Sequence, residues 1–212
     1  MMVRYLVIIQ LAFFSLQSYS QENKKSLSID EISISYNRIL SINSHVNPQS
    51  GFGLEINSYI NDSEKIKVIF GLSFDLTHQF NDRLTITYRS FYRDVNSTSY
   101  NFSFPLDFRF RLVKKSNLFI QTGVFLNISS TKIVGSRTFR PGFGADDVSE
   151  VDEYLPGNVG LGISLGVVKE FKLYDKVFFV KPDCKIGLDF LFRESLDELS
   201  GIYGRISIGI KI

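Results

Sequence analysis

Apolar and polar residues alternate along most of this 212-residue chain. From Tyr100 to Leu112 the alternation is complete. Tyr100, Phe102, Phe104, Leu106, Phe108, Phe110 and Leu112 are interleaved with Asn101, Ser103, Pro105, Asp107, Arg109 and Arg111. A period of two over that length predicts a β-strand with two chemically different faces. Seven further segments read the same way: one starting near Glu31, then 51–60, 65–77, 117–129, 159–167, 176–191 and 201–212. On one face of the third segment stand Ile66, Val68, Phe70, Leu72, Phe74 and Leu76, opposed by Lys67, Gly71, Ser73 and Asp75. The eight segments predict an all-β, eight-stranded, antiparallel up-and-down barrel.

The connections sharpen that expectation. Residues 61–64, 114–116 and 173–176 are tight turns, the first connection around 41–50 is intermediate, and 78–99, 130–158 and 192–200 are long and polar. Short turns on one side and long loops on the other are the layout of a transmembrane barrel of the outer membrane. An even strand count places both termini on the short-turn side. Residues 83–94 alternate weakly, and they read as a β-extension above the membrane, because a ninth crossing would move the longest loop to the wrong side.

Alternation alone does not say which face is inside. In the third to fifth segments the apolar face has one interruption, Thr122. The other face mixes glycine, serine, asparagine and charges of both signs, with glycines at 160, 162, 166, 187 and 209. An eight-stranded barrel is narrow and its interior is filled by side chains. Small residues among pairable charges suit that interior, so the apolar face is expected to meet lipid. The inward charges are then Lys67, Asp75, Asp107, Arg109, Arg111, Lys181, Asp183, Lys185, Asp189 and Arg205. They are expected to interlock as a plug, with acids such as Asp75 neutralising the arginines, because buried charges need partners. Pro105, which cannot donate to a ladder, is expected to sit at a local bulge. The alternative is a secreted lipocalin-like barrel, with the apolar face lining a ligand cavity.

The first twenty residues carry one charge, Arg4, followed by an apolar run from Tyr5 to Leu16 and small residues at Ser18 and Ser20. That is the layout of a secretory signal peptide cut before Gln21. The run is too short to span a bilayer, which takes about 20 residues. The expected organisation is a signal peptide at 1–20, a short periplasmic segment at 21–30 and a barrel at 31–212. The near-neutral net charge of +2 argues against a nucleic-acid binder, which usually shows a concentrated basic stripe. With Cys184 the only cysteine, neither an internal disulfide nor a multi-cysteine metal site is available.

The stretch 100–128 resembles the strand–turn–strand core of the PorT-type outer-membrane β-barrel family of Gram-negative bacteria. It carries the pair Pro105-Leu106, the polar turn 114–117 and the central Gly123. The eighth segment alternates up to Ile212 and resembles the terminal strand by which such barrels are recognised for assembly. The resemblance implies membership of the small-barrel class. It carries over no catalytic residue, although the founding PorT member serves a secretion apparatus.

Candidate chemistry is thin. An outer-membrane enzyme modifying lipid A would need a nucleophile beside a base. The chain has two histidines, His45 and His78. Ser44 adjoins His45, but strand neighbours point to opposite faces. The acidic run 146–153 holds Asp146, Asp147, Glu150, Asp152 and Glu153, without EF-hand spacing, and reads as a solvated loop. The glycines of 159–166 lack a nucleotide-loop spacing. The expectation is a barrel without catalytic, cofactor or metal residues. Its partners would be outer-membrane lipid, lipopolysaccharide and a protein reached through the loops, with no nucleic acid, and the barrel would be monomeric.

Overall fold

A computed structural model describes residues 28–41, 48–63, 65–87, 90–113, 116–140, 146–187 and 201–212. Eight strands follow one another: β1 (Glu31–Ser41), β2 (Gln49–Asp62), β3 (Ile66–Thr87), β4 (Ser90–Val113), β5 (Leu118–Phe139), β6 (Asp147–Leu173), β7 (Lys176–Gly187) and β8 (Gly201–Lys211). Each pairs antiparallel with its sequence neighbours, and β1 pairs with β8, so the sheet closes. Closure leaves no edge through the closed part of the wall, so every ladder group there can find a partner. Glu31 lies opposite Lys211, so the first and last described strands begin and end at the short-turn end.

The strands are longer than alternation alone suggests. β4 has 24 residues and β6 has 27. At about 3.3 Å per residue, β4 extends roughly 80 Å along its axis. The segment 83–94 is an extension of β3 and β4, with Arg83 opposite Arg93. The stretch 130–158 corrects the expectation of a loop: β5 and β6 run through it as a second extended hairpin, Phe139 pairing with Asp147. The acidic residues from Asp147 to Glu153 therefore stand in a strand, not in a loop. The connection 192–200, together with Asp189, Ser44 and His45, lies outside the described residues, as does the expected signal peptide.

No bulge occurs at Pro105. Phe70 pairs with Leu106 and Ser73 with Ser103, so the β3–β4 register is the same on both sides of it. The ladder lapses for the two pairs between and then resumes. On the other side Pro105 pairs in register with Phe125. Gly71 faces the proline ring, where a Cβ would come within 3.0 Å of Pro105 Cγ. A strand can thus accept a proline inside a barrel by leaving a small gap in one ladder and placing glycine beside it.

The two faces separate cleanly. Phe52 is 72% exposed, Ile34 67% and Leu165 61%, all on the outer surface, whereas Arg109 and Lys181 are fully buried inside. This is the reverse of a soluble ligand-binding barrel. The alternating apolar residues face out and the polar ones face in, and the lipocalin-like alternative falls on that observation. Thr122, the one interruption, satisfies its hydroxyl by donating to the backbone oxygen of Ser164 at 3.0 Å within its own sheet.

Candidate functional site

The interior is the most elaborate part of the molecule. Ten charged residues are buried there among the described residues, five acids (Glu31, Glu55, Asp75, Asp107, Glu170) and five bases (Lys67, Arg109, Lys181, Lys185, Arg205). Equal numbers matter because an unmatched charge in a low-dielectric lumen is costly.

The first cluster closes the short-turn end. Arg109 on β4 reaches across the lumen to Glu31 on β1, with both terminal nitrogens donating to its two oxygens at 2.7 and 2.9 Å. This is the bidentate geometry that favours arginine over lysine. Its Nε donates to Gln121 on β5 at 2.9 Å, and Gln121 donates to Asp107 at 2.6 Å. Tyr59 donates its hydroxyl to Glu31, while Lys211 on β8 pairs with Glu170 on β6 at 2.5 Å. Below these groups Phe119, Val168 and Phe179 form a buried apolar cluster, and the Arg109 guanidinium lies 5.8 Å from the Phe179 ring centre. The Phe179 ring fits because its neighbour is Gly209, where a Cβ would come within 2.3 Å of the ring.

The second cluster lies further up the lumen. Lys181 on β7 reaches Glu55 on β2 at 2.5 Å, again across the barrel. Arg205 on β8 pairs with Glu55 and with Asp183, donating to Asp183 at 2.7 to 3.2 Å. Lys185 reaches Ser73 Oγ at 3.5 Å. Above them the polar layer turns uncharged: Gln49, Thr77 and Gln79 bond to one another.

Nine of the ten sequence-predicted inward charges are described, and the lumen gathers them. Two expectations change. Asp75 touches no arginine directly: it accepts from Asn37 at 2.6 Å, and only its charge reaches Arg205. The carboxylates holding the lumen arginines are Glu31, Glu170, Glu55 and Asp183, of which sequence reasoning placed only Asp183 in the plug. The guanidinium of Arg111 lies over the Phe119 ring at 5.3 Å. Sequence reasoning also missed the inward rings of Phe119, Phe125 and Phe179. Their signal was present in the runs 118–120, 124–126 and 178–180, where three apolar residues in a row must put at least one inside.

The arrangement offers no catalytic pair among the described residues. His78 is exposed on β3 and its Nδ1 lies 3.2 Å from Thr98 Oγ1. No group of three or more His, Cys, Asp or Glu converges among the described residues as a metal site would require. On the extended hairpins the acids pair locally, Asp152 with Lys132 at 2.9 Å and Asp146 with Arg140 at 3.1 Å. The hydrogen bond and charge of Asp152 hold the Lys132 ammonium above its usual range.

No family model matches the sequence, and no curated protein does. Several solved structures are similar to the chain. Ail, the attachment invasion locus protein of Yersinia pestis, is 15% identical over 87% of this chain and 98% of its own, with a TM-score of 0.44. Neisserial surface protein A is 14% identical over 89% and 99%, at 0.44. The N-terminal β-barrel domain of Pseudomonas aeruginosa OprF is 10% identical over 87% and 98%, at 0.37. Likeness of that degree carries no functional content.

Proposed function

We propose that the chain is an outer-membrane β-barrel protein with a sealed polar interior, whose role is structural or interactive. One observation carries this reading: a continuous apolar outer belt surrounds a buried lumen of paired charges. Water-soluble monomers rarely expose contiguous apolar patches beyond a few hundred Å². A closed barrel wrapped in such a belt is stable only where lipid meets it. Among the described residues, ion pairs cross the lumen at two levels and obstruct the path a solute would take. Residues 1–20 serve as the export signal, and the mature chain begins at Gln21. Lipopolysaccharide packs against the outer belt.

The barrel then presents two long hairpins, β3–β4 and β5–β6, to the cell exterior. The finer reading, supported by the PorT-type resemblance, is that these hairpins engage a protein of a secretion or envelope assembly. Fractionation tests the first level. The protein should sediment with outer membranes and migrate faster on unheated than on heated SDS gels; recovery in the soluble periplasm would refute membrane insertion. In planar bilayers the purified protein should give no steady conductance, and porin-like steps would overturn the plug. Photo-crosslinkers at residues 83–94 and 135–155 should capture one discrete partner if the hairpins dock a protein.

A further inference from the structure

The short-turn end of the barrel has its own charge chemistry. Lys65 stands in the β2–β3 turn, Lys169 and Lys172 lie near the end of β6, and Lys176 opens β7; all four are exposed. The acids at this end are mostly engaged elsewhere. Asp62 pairs with Lys67 at 2.7 Å, and Asp30 accepts from Ser28 and from the backbone N–H of Tyr59. Glu31 and Glu170 turn into the lumen, towards Arg109 and Lys211. Among the described residues, Asp175 is left to face the four lysines. The hairpin end differs: Asp146, Asp147, Glu150 and Asp152 stand exposed there among arginines and Lys132.

Aromatic surface adjoins the lysines. Phe171 and Phe178 stack with ring centres 6.0 Å apart at 18°. Tyr174, in the two-residue turn between β6 and β7, is 90% exposed and has φ of 54°. That left-handed conformation is unfavourable for a bulky side chain, and hairpin turns of this kind normally place Asn, Asp or Gly there. Folding alone gives no reason for tyrosine. A bilayer interface does, because the ring can sit among headgroups with its hydroxyl in water. Lysines beside it can lay their stems on the apolar belt and lift their ammonium groups to phosphate level.

We infer that this rim is a collar for anionic phospholipid headgroups in the periplasmic leaflet, formed by Lys65, Lys169, Lys172, Lys176 and Tyr174. The inference rests on the membrane-spanning reading above. The Lys169 ammonium also donates to the backbone oxygen of Ser116, which ties β6 to the neighbouring turn. Near an anionic surface each lysine contributes about fivefold in lipid association at low salt. Zwitterionic lipids offer a phosphate but no net charge, so the collar discriminates by charge.

The test uses the full mature barrel in phosphatidylcholine bilayers doped with spin-labelled phosphatidylglycerol or spin-labelled phosphatidylcholine. Electron paramagnetic resonance reads the motionally restricted lipid. The expected result is roughly tenfold or greater preference for phosphatidylglycerol at low salt, falling towards parity at ~0.5 M salt as screening shortens the reach of the charges. The K65Q/K169Q/K172Q/K176Q variant should lose the preference, and K132Q, at the other end, should keep it. Equal association of both lipids with the wild type overturns the collar and leaves the basic rim to an acidic protein. A preference surviving in the quadruple variant overturns it too. A barrel that inserts without lipid preference sinks this inference alone. A chain that does not enter the bilayer sinks the membrane reading with it.

Discussion

Arg109 illustrates how much one lumen residue holds. Its side chain is fully buried and joins Glu31, Gln121 and Glu170 on three other strands. Removing it leaves the Glu31 carboxylate without its main partner in a dry interior. Breaking such a pair costs about 3–5 kcal/mol, far more than a surface pair is worth. Arg109→Ala should therefore lower stability by that order in urea titrations of the barrel in lipid vesicles, and Arg109→Ala with Glu31→Gln should recover part of it. A loss below about 1 kcal/mol would show that water enters and screens the site. Tyr174 makes the opposite case. Its left-handed backbone costs about 1–2 kcal/mol that asparagine or glycine largely avoids. Tyr174→Asn should raise the unfolding midpoint in detergent micelles, where no headgroup layer rewards the ring; an unchanged or lower midpoint would mean the tyrosine is held by contacts within the hairpin.

At the scale of elements, the membrane-crossing parts of the strands were legible because lipid forces strict alternation. The fourth segment shows this best: each even residue from Phe102 to Phe110 faces out, and each odd one from Asn101 to Arg109 is buried. Above the belt that force is absent. From Thr131 to Phe139 and from Asp147 to Glu153 neither face must be apolar, so the β5–β6 extension left only a weak period and looked like loop. Ion-pair partners were illegible for another reason. Which carboxylate meets Arg109 depends on how the strands stagger around the barrel, and Glu31 is 78 residues away in sequence. The β3–β4 extension should be dispensable for folding, since both charge clusters lie below it. Replacing residues 83–93 by Asn-Gly would join residues 82 and 94 through a two-residue turn that suits a hairpin. The shortened barrel should retain its heat-dependent gel shift and strand content by circular dichroism; a chain that no longer folds would show that the hairpin helps build the barrel.

The whole molecule is a wall turned inside out relative to a soluble barrel, with its seal made in two layers. The lower layer runs from Glu31 through Arg109 to Glu170 and Lys211, backed by Phe119, Val168 and Phe179. The upper layer joins Lys181, Glu55, Arg205 and Asp183. A solute would meet the two in series, so opening either alone leaves the lumen shut. Each layer includes a long cation that crosses from one wall to the other, and shortening that side chain removes bulk as well as charge. Lys181→Ala and Arg109→Ala should each remain silent in planar bilayers, while the double variant, checked for a retained heat-dependent gel shift, should give small flickering currents of small ions. The mechanism is additive occlusion: the lumen of an eight-stranded barrel is only as wide as the side chains that fill it, so conduction requires a gap at every level. Current through either single variant would mean that the remaining cluster is a set of contacts rather than a barrier, and that the closed state depends on one layer alone.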